Sequence, residues 1–137
     1  MTTPRPLLSP ASEGPPATRL HVAVVTETWP PEVNGVALTL ARLVLGLGER
    51  GHAVSLVRPR QAAAGAGASA RSASDGGADS VAEVAGMPIP QYPHLRMGLP
   101  AGALLRRLWT ARRPDVVHVA TEGPLGFSAV RTATRLR

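Results

Sequence analysis

Cysteine is absent from the 137 residues, which rules out a disulfide framework, a thiolate nucleophile and a cysteine-ligated metal. Lysine is absent as well, all fifteen basic residues being arginine. That excludes a lysine-bearing P-loop and Schiff-base chemistry. Aromatic residues make up 3% of the chain, too few for the stacking platforms of a nucleic-acid reader, and no reading motif accompanies them. Nucleic acid is therefore not an expected partner. The four histidines are scattered, so no metal is expected. No uninterrupted apolar run reaches the length of a membrane span. Residues 1–19 are rich in Pro, Ser and Thr and lack the apolar centre of a signal peptide. They are expected to form a disordered extension on a cytoplasmic protein.

A length of 137 residues suits one domain and cannot hold two Rossmann-like ones. The formal charge of +6 favours acidic partners such as phosphates or anionic lipid heads. Abundant arginine, alanine, glycine and proline fit biased coding equally well, so charge alone decides nothing.

The chain is organised around residues 20–51. Leu20–Thr26 is a β-branched run suited to a parallel strand covered on both faces. Thr26–Gly35 breaks it, because Pro30 and Pro31 cannot continue a ladder and Asn34-Gly35 readily turns. From Val36 the spacing becomes helical, with Val36, Leu40, Leu43, Val44 and Leu47 on one face. Gly51 stands where a left-handed cap is wanted, after Arg50. Ala53–Val57 is a second strand, which makes a right-handed βαβ unit.

Gln61–Ser80 is alanine, glycine and serine with scattered charges, expected to be a flexible insertion. Val81–Val84 reads as a short strand, and Met87–Pro93, with three prolines, as an irregular extended loop. Pro100–Arg113 is a second helix with Leu104, Leu105, Leu108 and Ala111 on one face. Its arginines and Trp109 admit two readings: a helix lying on an anionic membrane surface, or a domain helix with a solvated face. Asp115–Ala120 is the next buried strand, Thr121–Gly123 a turn, and Pro124–Arg137 a third helix.

In an open parallel sheet, ligands settle beyond the carboxyl ends of the strands, where helix N-termini point their N–H groups. The loops Glu27–Gly35 and Thr121–Gly123 fall there. Gly35 lets an oxygen approach the backbone; equally, Asn34-Gly35 is a turn with a capping asparagine. Glu122 can accept hydrogen bonds from hydroxyl groups, or simply complement a helix dipole. His118, late in an apolar strand, reads as a satisfied core residue or a titrating group.

Four stretches carry a family resemblance: Thr26-Glu27-Thr28-Trp29-Pro30-Pro31-Glu32-Val33-Asn34-Gly35-Val36; Arg50-Gly51-His52 with Val57-Arg58-Pro59-Arg60; Pro90–Pro100; and Arg113–Gly126. In this order they resemble the N-terminal half of retaining GT-B glycosyltransferases of family four, of the bacterial nucleotide-diphosphate-sugar-dependent mannosyltransferase type. The resemblance implies an α/β fold with a Rossmann-like parallel sheet over residues 20–137, incomplete at its C-terminus. It implies hexosyl transfer, mannosyl foremost, with retention, from a donor such as GDP-mannose to a lipid or glycan acceptor. No cofactor or metal is implied; peripheral contact with the inner membrane face is what the first of the two readings of Pro100–Arg113 would give.

By the same resemblance, Asn34 and Gly35 lie toward the donor. Thr121, Glu122 and Gly123 lie toward sugar or acceptor hydroxyls, with Glu27 and His118 as further candidates. The family's loop histidine has no clear match. The family's nucleotide-binding second domain, with its basic pair and paired glutamates, is expected to be missing, which would leave the chain alone inactive. Other readings are a stand-alone nucleotide- or phosphate-binding module, although Gly-x-Gly-x-x-Gly is lacking, and a receiver-like domain, although the acidic cluster and lysine it needs are lacking.

Overall fold

The computed structural model describes residues 18–61 and 75–137. The expected N-terminal extension, up to residue 17, and residues 62–74 of the expected insertion lie outside the described residues. Nine elements follow in order: β1 (His21–Val25), α1 (Gly35–Glu49), β2 (Ala53–Pro59), β3 (Ser80–Val84), β4 (Gly86–Ile89), β5 (Tyr92–Gly98), α2 (Gly102–Ala111), β6 (Val116–Val119) and α3 (Pro124–Arg135). The fold is α/β and Rossmann-like. β3, β2, β1 and β6 form a parallel sheet in that order, and β4 pairs with β5 as an antiparallel hairpin.

The central strand is buried on both faces, and each face has its own apolar cluster. Val22, Val24, Val54 and Leu56 meet Leu40 and Val44 of α1 together with Trp29. On the other face, Ala23, Val25 and Val57 meet Leu105 and Trp109 of α2 and Leu125 and Ala129 of α3. Alternation along β1 sends successive side chains to opposite clusters. Acidic side chains close the amino edge: the His21 amide donates to Asp115 Oδ2 at 2.7 Å, and the Val54 amide to Asp79 Oδ2 at 2.6 Å. Each aspartate immediately precedes its own strand and receives an amide at the start of the neighbouring one, which satisfies donors the ladder leaves over.

Helix α1 begins and ends as its sequence requires. Asn34 is extended, and its side chain accepts from the Ala37 amide at 2.8 Å, as an N-cap should. At the other end Gly51 has φ +82°. Gly51 N–H donates to the Gly48 carbonyl and His52 N–H to that of Leu47, a Schellman closure that only a left-handed residue allows. The buried stripe, however, is Ala37, Leu40 and Val44. Val36 and Leu43, expected inside, are 46% and 39% exposed. Ala37 packs against the sheet with no exposure, so the small residue sets the phase and the larger ones beside it turn outward.

Other expectations are corrected. Met87–Pro93 lies within the β4–β5 hairpin instead of an irregular loop. Its prolines are tolerated because a two-stranded sheet has outward-facing edges, and the register slips between Pro88 and Ile89. The hairpin closes on β2 and on α3 through glycines: a Cβ at Gly86 would meet Pro59 at 2.9 Å, and one at Gly98 would meet Leu125 at 2.8 Å. Trp109 is 3% exposed and belongs to the core, so it cannot sit at a membrane interface. The expected strand Asp115–Ala120 is an edge among the described residues. Val117 and Val119 pack on the α2–α3 face, while Val116 and His118, on the other face, are exposed, since α1 packs chiefly over β2.

The end of the expected insertion is packed. Asp75 is 1% exposed and receives Arg58 Nη2 at 3.0 Å, while Arg58 Nη1 donates to Glu83 at 2.9 Å. Gly77 lies against the backbone of Val44 and Leu45 with no room for a Cβ. Residues 75–80 thus lock the start of β3 onto the C-terminal half of α1.

Candidate functional site

β1 and β6 are adjacent and parallel, with Val25 opposite Val119. The loops that leave them therefore emerge side by side at the carboxyl edge. This edge is where residues 27–35 and 121–123 come together.

The first loop is braced by its own polar side chains. Asn34 Nδ2 donates to Thr28 Oγ1 at 2.6 Å, and Thr28 Oγ1 donates to Glu32 Oε2 at 2.7 Å. Gln61 Nε2 donates to the carbonyls of Trp29 and Pro30, both at 2.7 Å. The Pro30–Pro31 peptide bond is cis. Trp29, 1% exposed, anchors the loop in the α1-side cluster. Neither Thr28, Glu32 nor Gln61 stood out in the sequence. The usable signal was a large aromatic between turn-forming residues, because such a side chain needs an interior to enter.

Gly35 begins α1 at the end of this brace. It is exposed, and a Cβ there would meet nothing within 4 Å. Asn34 is committed to the cap, so its side chain is held by the fold. The helix start beside Gly35 remains open to a ligand oxygen.

Glu27 joins the two loops. Its amide donates to Thr121 Oγ1 at 2.9 Å, and its carboxylate accepts from the Leu125 amide at 3.2 Å and more weakly from that of Gly126 at 3.5 Å. Gly123 lies directly against that carboxylate, so any Cβ there would collide with it. The acid occupies the positive end of α3 and complements its dipole. Burial raises its pKa above the ordinary glutamate value, and the amides of Gly126, Leu125 and Gly98 pull it partly back. Glu27, 9% exposed, is therefore an internal counter-charge for the α3 N-terminus. Of the four resembling stretches, the first, third and fourth meet at this carboxylate.

The remaining candidates separate. Thr121 and Gly123 are half-buried and engaged with Glu27; Glu122 is exposed at the same turn. His118 is also exposed, on the uncovered side of β6, and is not a core residue. Among the described residues, no group of three acidic, histidine or cysteine side chains could hold a metal. Two cavities of about 510 Å³ lie at the opposite, amino edge, one beside Trp109 and Asp115 and one beside Gly51 and Asp79. They have no connection with these loops.

Comparison with known proteins gives two findings. The sequence profile of Glycosyltransferase Family 4 matches residues 33–137. The chain is 32% identical over 117 residues to a GDP-mannose-dependent alpha-mannosyltransferase of Mycobacterium tuberculosis (strain CDC 1551 / Oshkosh), an alignment covering 85% of this chain and 30% of that protein. The chain therefore spans under a third of the length of that relative. No solved structure matches.

Proposed function

The chain belongs to Glycosyltransferase Family 4, and from that premise we propose that it forms the acceptor-side half of a two-domain GT-B enzyme. The enzyme transfers a mannosyl group with retention from a nucleotide-diphosphate sugar, GDP-mannose in the first instance, to a lipid or glycan acceptor. The observation that supports this most is Gly35. It stands exposed at a helix N-terminus, its surroundings leave room for a Cβ, and yet the position is glycine.

Transfer with retention requires stabilisation of a departing diphosphate and of an oxocarbenium-like sugar. The α1 start offers backbone N–H groups for the first of these. Glu122 and the backbone of Thr121–Gly123 offer acceptors and donors to hydroxyl groups across the gap. Glu27 positions the second loop against the first and is itself spent on α3. The nucleotide falls to a second domain, so the chain alone binds the donor weakly and does not turn it over.

The test is a titration of the ¹⁵N-labelled chain with GDP-mannose. The expected result is movement of the amide signals of Gly35, Val36, Thr121 and Glu122. Silence at these amides, or shifts confined to the amino edge near Asp79 and Asp115, overturns the assignment. Sustained transfer by the chain alone overturns the half-site reading.

A further inference from the structure

Two polar side chains stand on a sheet face that is otherwise apolar. His21 shares the side of β1 that carries Ala23 and Val25, and those two residues belong with Val57 to the cluster under α2 and α3. His21 Nε2 lies 2.6 Å from Ser55 Oγ of β2, and His21 Nδ1 lies 3.1 Å from the Arg113 carbonyl just beyond α2. A carbonyl only accepts, so in the neutral ring Nδ1 carries the hydrogen and Nε2 the lone pair. Ser55 then donates to Nε2. Ser80 of β3 donates in turn to Ser55 Oγ at 3.1 Å. The bonds run in one direction, from Ser80 through Ser55 and His21 to the main chain. An activated serine needs this arrangement: a hydroxyl within hydrogen-bond reach of a base whose other nitrogen is fixed by a third group.

The serine is also reachable. His21 is buried, but Ser55 is only half-buried and Ser80 is exposed. All three line a cavity of about 220 Å³ between α2 and the strands, with Ala82, Leu108 and Arg112. Its walls are mostly apolar. Arg112 is exposed, forms no ion pair among the described residues, and brings a positive charge to the cavity. Satisfaction of a core histidine accounts for the two bonds of His21. It does not account for a polarised hydroxyl facing an open apolar cavity beside an unpaired guanidinium.

We propose that Ser55 is a nucleophile activated by His21, and that the cavity takes the acyl group of a short-chain ester. Ser55 Oγ bonds to the ester carbonyl carbon as its proton passes to His21 Nε2. Arg112 stabilises the negative charge that develops on the carbonyl oxygen. The bond to the alkoxy oxygen breaks, and the alcohol leaves with the proton from His21. Water then attacks the acyl-serine, giving a proton to His21; the acid departs and the proton returns to Ser55. His21 begins β1 and Ser80 begins β3, so the site lies toward the amino edge. It is separate from the carboxyl-edge loops and does not depend on the transfer reaction.

Treatment of the purified chain with diisopropyl fluorophosphate tests the proposal. The phosphorus bonds to Ser55 Oγ and fluoride leaves. Ser55 is the sole serine or threonine in residues 51–60, so mass spectrometry of tryptic peptides locates the label. The native chain takes one label, on Ser55, and the chain unfolded in urea takes none. p-Nitrophenyl butyrate is hydrolysed with an initial burst of p-nitrophenol, which the labelled chain has lost. His21→Gln lowers the labelling rate about a hundredfold. Arg112→Gln, a change at the exposed surface, lowers the burst rate about fivefold. Labelling of the native chain and of the Arg112 variant leaves the core unaltered, so the test stands even if His21→Gln unfolds. Absence of label, label on another residue, equal labelling in urea, or a folded His21→Gln labelled at the parent rate overturns the proposal.

Discussion

Substituting Gly35 by alanine separates a glycine kept for the fold from one kept for a ligand. Its φ lies outside the left-handed region, since Gly51 is the only described glycine with positive φ, and nothing lies within 4 Å of the added methyl. Alanine should then stabilise the chain by about 0.4–1 kcal/mol, because the unfolded chain loses freedom and the folded one loses nothing. For a domain of this size that corresponds to a rise in Tm of about 2–5 °C. Gly123 gives the contrast. There the methyl displaces the Glu27 carboxylate from the Leu125 and Gly126 amides, and leaving buried partners unpaired costs about 1–3 kcal/mol. Urea unfolding of both variants measures the difference. Gly35→Ala should be at least as stable as the parent while its donor-induced amide shifts vanish. Destabilisation of Gly35→Ala by more than 1 kcal/mol, or unchanged donor shifts in a stable variant, would refute the assignment of that glycine to a ligand.

Three further outcomes follow from the structure. The raised pKa of Glu27 means the folded state holds that proton more tightly than the unfolded one. Its stabilising contribution is full below the unfolded pKa, about 4.3, and is lost as pH rises through the folded value. The stability of Glu27→Gln relative to the parent should therefore increase over that window, and parallel urea midpoints across pH would contradict it. Asp75→Ala removes one of the two carboxylates that hold the 3%-exposed Arg58, leaving Glu83 in place, and should cost about 1–3 kcal/mol for the buried donor left unpaired, read from the same denaturation curves. Asn34→Ala removes the acceptor of the Ala37 amide and should cost about 1 kcal/mol; a neutral effect would show that the cap is not what fixes the start of α1.

Much of the candidate site was legible in the sequence, but its division of labour was not. Asn34, Gly35, Thr121, Glu122 and Gly123 do fall at the carboxyl edge, because alternating strand and helix patterns fix which loops emerge there. What no pattern could show was that Glu27 would be buried against an amide 98 positions away. His118 was misjudged for a related reason. Val-Val-His-Val reads as a buried run, but its burial depends on a neighbour that α1 does not supply. The hairpin was hidden by its prolines, which exclude a central strand and permit an edge one.

By itself the sequence determined the order strand, loop, helix, strand, the cap at Asn34, the left-handed stop at Gly51 and membership of the family. Each depends on residues a few positions apart, where periodicity and backbone freedom act directly. Only the tertiary structure decided the phase of α1, the edge position of β6, the core role of Trp109 and the pairing of His21 with Ser55. These are long-range outcomes. They depend on which surfaces pair, and a side chain's local preference is the same whichever neighbour finally covers it.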